Sequence, residues 1–127
     1  MYLTPLHDVA YFLHSKHMCL EWLKPYNPRW DPKRFRLVLN FQGRTIGRDI
    51  YGYSNIKWFN YGSYVHETRI DNASTIILTE DVLSAAKGII ATGLPFYALF
   101  GTSLTRALES SIIASNPSHV GVMLDGD

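Results

Sequence analysis

The residues able to do chemistry gather behind three short apolar runs. Thr79-Glu80-Asp81 follows Thr75-Ile76-Ile77-Leu78, Gly101-Thr102-Ser103 follows Phe96 to Phe100, and Asp125-Gly126-Asp127 follows Val120 to Leu124. Carboxylates held close together repel one another, and each resists ionising. A hard divalent cation removes that penalty: Mg2+ takes one or two carboxylates and keeps waters for phosphate oxygens. Asp-x-Asp spacing puts two side chains on the same side of an extended segment. Glu80, Asp125 and Asp127 are therefore candidate ligands for Mg2+, with Mn2+ as the alternative. Singly, Asp-Gly-Asp is more often a turn, and a Glu after a strand is often a helix-start charge. Their joint placement at successive strand ends favours the metal.

Other chemistries find less support. The chain has neither a Gly-x-x-x-x-Gly-Lys-Ser/Thr loop nor a Gly-x-Gly-x-x-Gly fingerprint. Cys19 with His14 and His17 reads better as part of a packed helix than as a thiol–imidazole pair. As the one cysteine it allows no internal disulfide and no Cys-rich zinc module. Ser103 lacks a nucleophile-elbow pattern and suits a helix N-cap.

The elements that must position the carboxylates follow from periodicity. Thr4-Pro5 reads as an N-cap followed by a first helical residue. Leu6, Val9, Ala10, Leu13 and His17 continue at helical spacing, so a helix is expected over about 5–23, with a break near His17. Residues 26–33 read as a loop. Phe35, Leu37, Leu39 and Phe41 alternate with Arg36, Val38 and Asn40, Gln42-Gly43 turns, and Thr45 to Tyr51 returns, which predicts a hairpin over 35–51. Lys57 to Asn60 is a third short strand and 61–74 a loop. Beyond it, Thr75 to Leu78 has the look of a buried parallel strand. Val82, Ala85, Ala86, Ile89 and Ile90 form a helix that Gly93 and Pro95 end. Phe96 to Phe100, a helix carrying Leu104 to Ile113, and Val120 to Leu124 complete a β-α-β-α-β order, hence a parallel sheet with right-handed crossovers. The expected fold class is α/β: a small α+β basic subdomain over 1–74, then a Rossmann-like parallel sheet over 75–127, where ligands bind beyond the carboxyl ends of the strands.

With 127 residues and 46% hydrophobic residues the chain can bury a real core. No apolar run approaches the roughly 18–20 residues of a membrane span. The N-terminus has no basic n-region, so no signal peptide is expected and the implied location is cytoplasmic. The net charge of +1 hides an asymmetry: residues 1–70 hold ten of the twelve Lys/Arg and five acids, whereas residues 71–127 hold two and six. Such a division fits a polyanion-binding surface beside a cation site, and it also arises by chance.

Ile76 to Ala85, a strand ending in Glu before a helix, resembles the first motif of the Toprim domain. Val120 to Asp127 resembles its second, a strand ending in Asp-x-Asp, and Phe96 to Ser103 is similar to the strand and glycine turn between them. Trp30-Asp31-Pro32, Arg36-Leu37-Val38-Leu39, Gly43, Gly47-Arg48 and Lys57-Trp58 are similar, as a looser pattern, to the basic subdomain that precedes Toprim in phage and bacterial primases. The resemblance covers roughly residues 26–127 and implies Mg2+-dependent RNA primer synthesis on single-stranded DNA. It makes Glu80 the general acid/base or a metal-linked carboxylate, Asp125 and Asp127 the Mg2+ ligands, and Arg36, Arg48 and Lys57 the contacts to template or triphosphate. Tyr51, Tyr53 and Trp58 are candidates for stacking on bases, although hairpin packing suits Trp58 better.

The implied partners are a single-stranded DNA template, nucleoside triphosphates, a helicase, and a second chain completing the Toprim sheet. Toprim domains usually continue through a further helix and strand, so the expectation is an N-terminal piece or split half of a primase, a phage-type replication enzyme with little polymerase activity alone. The alternatives are a Toprim nuclease or topoisomerase-like DNA-cleaving protein and a non-catalytic module that binds nucleic acid or a replication partner.

Overall fold

Leu37, Leu39 and Phe41 alternate along the chain because every second side chain of a strand faces one way. In a computed structural model, which describes residues 5–62, 74–99 and 106–123, they form the inward row of one strand, Arg36–Phe41. The chain divides into two compact units, Met1–His66 and Glu67–Asp127, and the architecture is mixed α/β, with an antiparallel sheet in the first and a parallel sheet in the second.

In the first unit β1 (Arg29–Asp31), β2 (Arg36–Phe41), β3 (Arg44–Asp49) and β4 (Trp58–Asn60) pair antiparallel in sequence order. The hairpin expected over 35–51 is present, with Leu39 opposite Ile46 and Phe41 opposite Arg44 around the Gln42-Gly43 turn. Two departures matter. Arg29–Asp31, expected as loop, pairs with β2 as an edge strand; three residues are too few to show a period. Phe35, expected on the inward row, lies outside the strand at φ 54° and is 51% exposed.

The expected helix over 5–23 is α1 (Leu6–Ser15) followed by a 3-10 turn, Leu20–Tyr26. The break has a local cause. His17 takes a left-handed conformation, its N–H donates to His14 O at 2.9 Å, and Met18 N–H donates to Leu13 O at 2.8 Å. This is a Schellman closure with a histidine where glycine is usual, sealed by buried Met18 and Leu13. Pro5 occupies the cap position rather than the first helical one, and Thr4 lies outside the described residues. Val9, Leu13, Leu23, Leu39, Phe41 and Ile46 are all buried to within 2%, and each such side chain stabilises the unit by about 1.5–3 kcal/mol relative to exposure.

In the second unit β5 (Thr75–Thr79) lies between β6 (Phe96–Ala98) and β7 (His119–Met123), parallel to both. The strands expected at 96–100 and 120–124 are thus present with shifted bounds; Phe100 and Leu124 lie outside the described residues. α2 (Val82–Thr92) starts at Asp81, whose Oδ1 accepts from Leu83 N–H at 3.2 Å, and ends at Gly93, left-handed at φ 73° as its place after the helix requires. α3 (Arg106–Ser115) takes the place of the helix expected from Leu104, which itself lies outside the described residues.

Register assigns the two faces of this sheet. Leu78 pairs with Tyr97, and with Ile76 and Leu108 they form one core, against which Leu99 and Ile112 pack. Ile77 pairs with Phe96, whose ring lies on α2 at Gly88. β7 is an edge strand with Val120, Val122 and Met123 exposed. No helix among the described residues is long and apolar enough to cross a membrane.

Gly88 sits mid-helix, where glycine ordinarily weakens a helix, because a Cβ there would meet Phe96 ring carbons at 2.2–2.5 Å. Gly88→Ala is expected to push α2 off β6 and to destabilise the unit by about 1–3 kcal/mol despite alanine's better helix propensity, measured as a lower midpoint in urea unfolding followed by circular dichroism.

Candidate functional site

Register aligns the three strands of the second unit. Thr79, the last residue of β5, is the Cα partner of Ala98 on β6 and of Met123 on β7. The chain runs from β5 outward to β6 and returns across β5 to β7, so the strand order reverses between β5 and β7. In open parallel sheets that reversal, at the carboxyl ends, is where ligands bind.

Thr79 ties this rim together. Its hydroxyl donates to Asp81 O at 2.9 Å, and its carbonyl accepts from Leu99 N–H at 2.7 Å. Glu80 is half-buried, fixed between the end of β5 and the cap residue of α2. Asp81, at the same rim, is the helix cap, and capping Leu83 N–H gives its carboxylate a structural task. Among the described residues no three of His, Cys, Asp and Glu form a metal-holding group. Asp125 and Asp127, and the Gly101-Thr102-Ser103 turn, lie outside the described residues. In sequence Asp125 follows Met123 by two positions and Asp127 by four.

In the first unit the three expected basic contacts are neighbours in the fold but do not share an exposed surface. Arg36 is 5% exposed. Its guanidinium donates to Gly47 O at 3.0 Å, Lys57 O at 3.1 Å and Ile56 O at 2.8 Å, and lies 5.7 Å from the centre of the Phe59 ring. Arg48 is 7% exposed, with its guanidinium 5.1 Å from the Phe12 ring and 5.8 Å from that of Trp58. Both arginines hold the unit together, and Trp58 belongs to this packing. Lys57 is exposed, as are Arg29, Lys33 and Arg34.

The cations of the β1–β2 turn were missed because the arginines of β2 and β3 looked more like a site. Asp31-Pro32-Lys33-Arg34 has the composition of a type I turn, and that was the signal available. Asp31 Oδ1 accepts from Lys33 N–H at 2.9 Å and from Arg34 N–H at 3.2 Å, and Lys33 and Phe35 are exposed, whereas the Arg34 guanidinium lies back on the unit, 4.6 Å from the centre of the Phe59 ring and 3.9 Å from Asp31 Oδ2.

Two carboxylates are built into this unit. Asp49 accepts from Tyr51 and Gly52 N–H, each at 3.0 Å, and from Ser54 N–H at 2.7 Å. Burial pushes its carboxyl up, but those three N–H groups and the Arg36 guanidinium outweigh burial and hold it below the ordinary 3.8. Asp31 is held low in the same way: burial is outweighed by the Tyr61 hydroxyl, the Arg34 and Lys33 N–H groups, and the Arg34 guanidinium. The phenols facing carboxylates move the other way. Tyr51, donating to Asp8 at 2.6 Å, is pushed up to about 12. Tyr61, half-buried over Gly47 and donating to Asp31 at 2.5 Å, is likewise pushed up to about 12.

Compared with known proteins, the chain matches no family model, and no curated protein matches it.

The depressed carboxyls set an acid limit. A carboxyl with a lowered folded-state pKa adds stability that is fully present above its unfolded value and lost as pH falls through the folded one. The first unit is therefore expected to hold its stability down to about pH 4 and to lose it below. Asp49→Asn places an amide donor opposite one of the three N–H groups. It should lower the melting temperature at neutral pH and flatten part of the decline below pH 4, read from thermal melts across the acid range.

Proposed function

We propose that the chain carries the metal-binding strand ends of a Toprim-type nucleotidyltransferase of the primase kind, acting on nucleoside triphosphates along a single-stranded DNA template. The observation that supports this reading is the register that sets Thr79, the last residue of β5, level with Met123 of its parallel neighbour β7 at the point where strand order reverses. Glu80 follows one of these residues, and the sequence Leu124-Asp125-Gly126-Asp127 follows the other.

Carboxylates alone, on oxygen donors of this kind, suit a hard cation, so Mg2+ fits the residues that would hold it: Glu80, Asp125 and Asp127. When bound it neutralises phosphate charge and orients the attacking and leaving oxygens. Glu80, fixed by Thr79 and Asp81 on either side, accepts the proton of the attacking hydroxyl or helps to hold the ion. Exposed Lys57, with Lys33, meets phosphates, whereas Arg36 and Arg48 position the backbone from inside.

A second reading, a nucleic-acid-binding module without catalysis, is favoured by the exposed Lys33 and Lys57 of the first unit, which need no metal to meet phosphates. It leaves Glu80 without chemistry, so Glu80→Gln keeps function under it and abolishes nucleotidyl transfer under the first.

Isothermal calorimetry with Mg2+ tests the proposal. The intact chain is expected to bind the ion, and Asp125→Asn/Asp127→Asn to lose it. Absence of binding by the intact chain, or equal binding by both, contradicts it.

A further inference from the structure

Four aromatic rings form a continuous run in the first unit. Trp30 meets Tyr51 edge-on at 6.1 Å, Tyr51 stacks on Tyr53 at 5.0 Å with planes 22° apart, and Tyr53 meets Phe35 at 6.4 Å with planes 87° apart. Trp30 and Tyr51 are half-buried, but Tyr53 is 76% exposed and Phe35 51% exposed. The run thus ends in two ring planes open to solvent, set at a right angle. An aromatic corner of this kind contributes little to a core.

The backbone beneath it is fixed. Phe35 has φ 54°, a conformation in which a bulky side chain is strained and glycine is the ordinary occupant. Asp31 holds it there by binding Lys33 and Arg34 N–H. Asp49 binds three N–H groups between Tyr51 and Ser54, and Arg36 binds the Ile56 and Lys57 carbonyls, so the segment carrying Tyr51 and Tyr53 is gripped at both ends. The Tyr51 hydroxyl is anchored on Asp8. Strain at an exposed aromatic residue, on a backbone so firmly held, points to a use for the ring.

Charge selects the ligand. Met1–His66 carries nine Lys/Arg against four Asp/Glu. Asp49 and Asp31 are both engaged by backbone N–H groups, and Arg34 is turned onto Asp31 and the Phe59 ring, while Lys33 and Lys57 are exposed. Exposed rings also take proline-rich peptides, but nothing in such a peptide answers this excess of cations. A duplex hides the faces of its bases, whereas a single strand presents them.

We infer that Tyr53 and Phe35 are a stacking platform for the bases of a single-stranded nucleic acid, with Lys33 and Lys57 of the same unit drawing its phosphates. This deepens the nucleic-acid part of the proposed function and rests on it, but needs no metal.

The test is binding of a fluorescein-labelled oligothymidylate to the full chain, by anisotropy over a range of salt. Tyr53→Ala and Phe35→Gly are each expected to weaken binding about 5- to 100-fold without changing the slope of log K against log salt. Lys33→Ala should lower that slope by about 0.7. Phe35→Gly suits the turn better than phenylalanine does, so its melting temperature should stay level or rise while binding falls, which separates stacking from folding. Both aromatic variants binding like the intact chain, or an oligoproline displacing the oligothymidylate, would overturn the inference. Tyr53-dependent binding in a chain that takes up no Mg2+ upholds the platform while the nucleotidyl-transfer reading falls. Uptake of Mg2+ with unchanged binding by the aromatic variants does the reverse.

Discussion

Parallel pairing on both edges of β5 is the constraint on which the second unit depends. A strand paired parallel on each side must have both neighbours reached by crossovers, and right-handed crossovers in opposite directions put their helices on opposite faces. The alternation along β6 obeys this: Phe96 meets α2 at Gly88, and Tyr97 joins the core that holds Leu108. The same pairing makes Thr79, Ala98 and Met123 level, so whatever follows β5 and β7 starts from one rim. The chemistry proposed for Glu80 is a consequence of that register more than of any contact the side chain makes.

In the first unit the equivalent constraint is the buried guanidinium of Arg36. A buried charge is costly unless its hydrogen bonds are made, and Arg36 makes them to three carbonyls on β3 and the segment before β4. Asp49 grips the start of that segment through backbone N–H groups. One cation and one anion thereby replace the regular ladder that a loop lacks, and Tyr51 and Tyr53 are presented on backbone as well fixed as a strand. The charge that looked like a nucleic-acid contact acts one step removed, on the surface that would make the contact.

Periodicity explains what could be read in advance. The hairpin, β5, α2 and the stop at Gly93 were legible because each carries a repeating apolar pattern or a residue with a unique backbone role. β1 was not, since Arg29-Trp30-Asp31 is too short to repeat. Phe35 is expected inside the strand, on the face opposite Arg36, because alternation assumes that a strand continues. Here a left-handed residue begins it one position later, and the arginine is buried by what folds over it. The break at His17 was visible as an interruption, but the Schellman closure needs Met18 and Leu13 to meet. Glu80 could be placed at a strand end from sequence; that the neighbouring end belongs to β7 follows only from strand order.

The claim at the centre of this account is that a divalent cation binds beside Thr79 and Met123, level with one another on β5 and β7. Titration of the isotope-labelled chain with Mn2+, followed by paramagnetic broadening of amide resonances, reads that place directly. The account predicts selective broadening at Glu80, Asp81, Leu99 and Met123, with Thr75 and His119 at the amino ends of the strands left sharp. Broadening centred instead on Asp31 or Asp49, or spread evenly along β5 and β7, would contradict it.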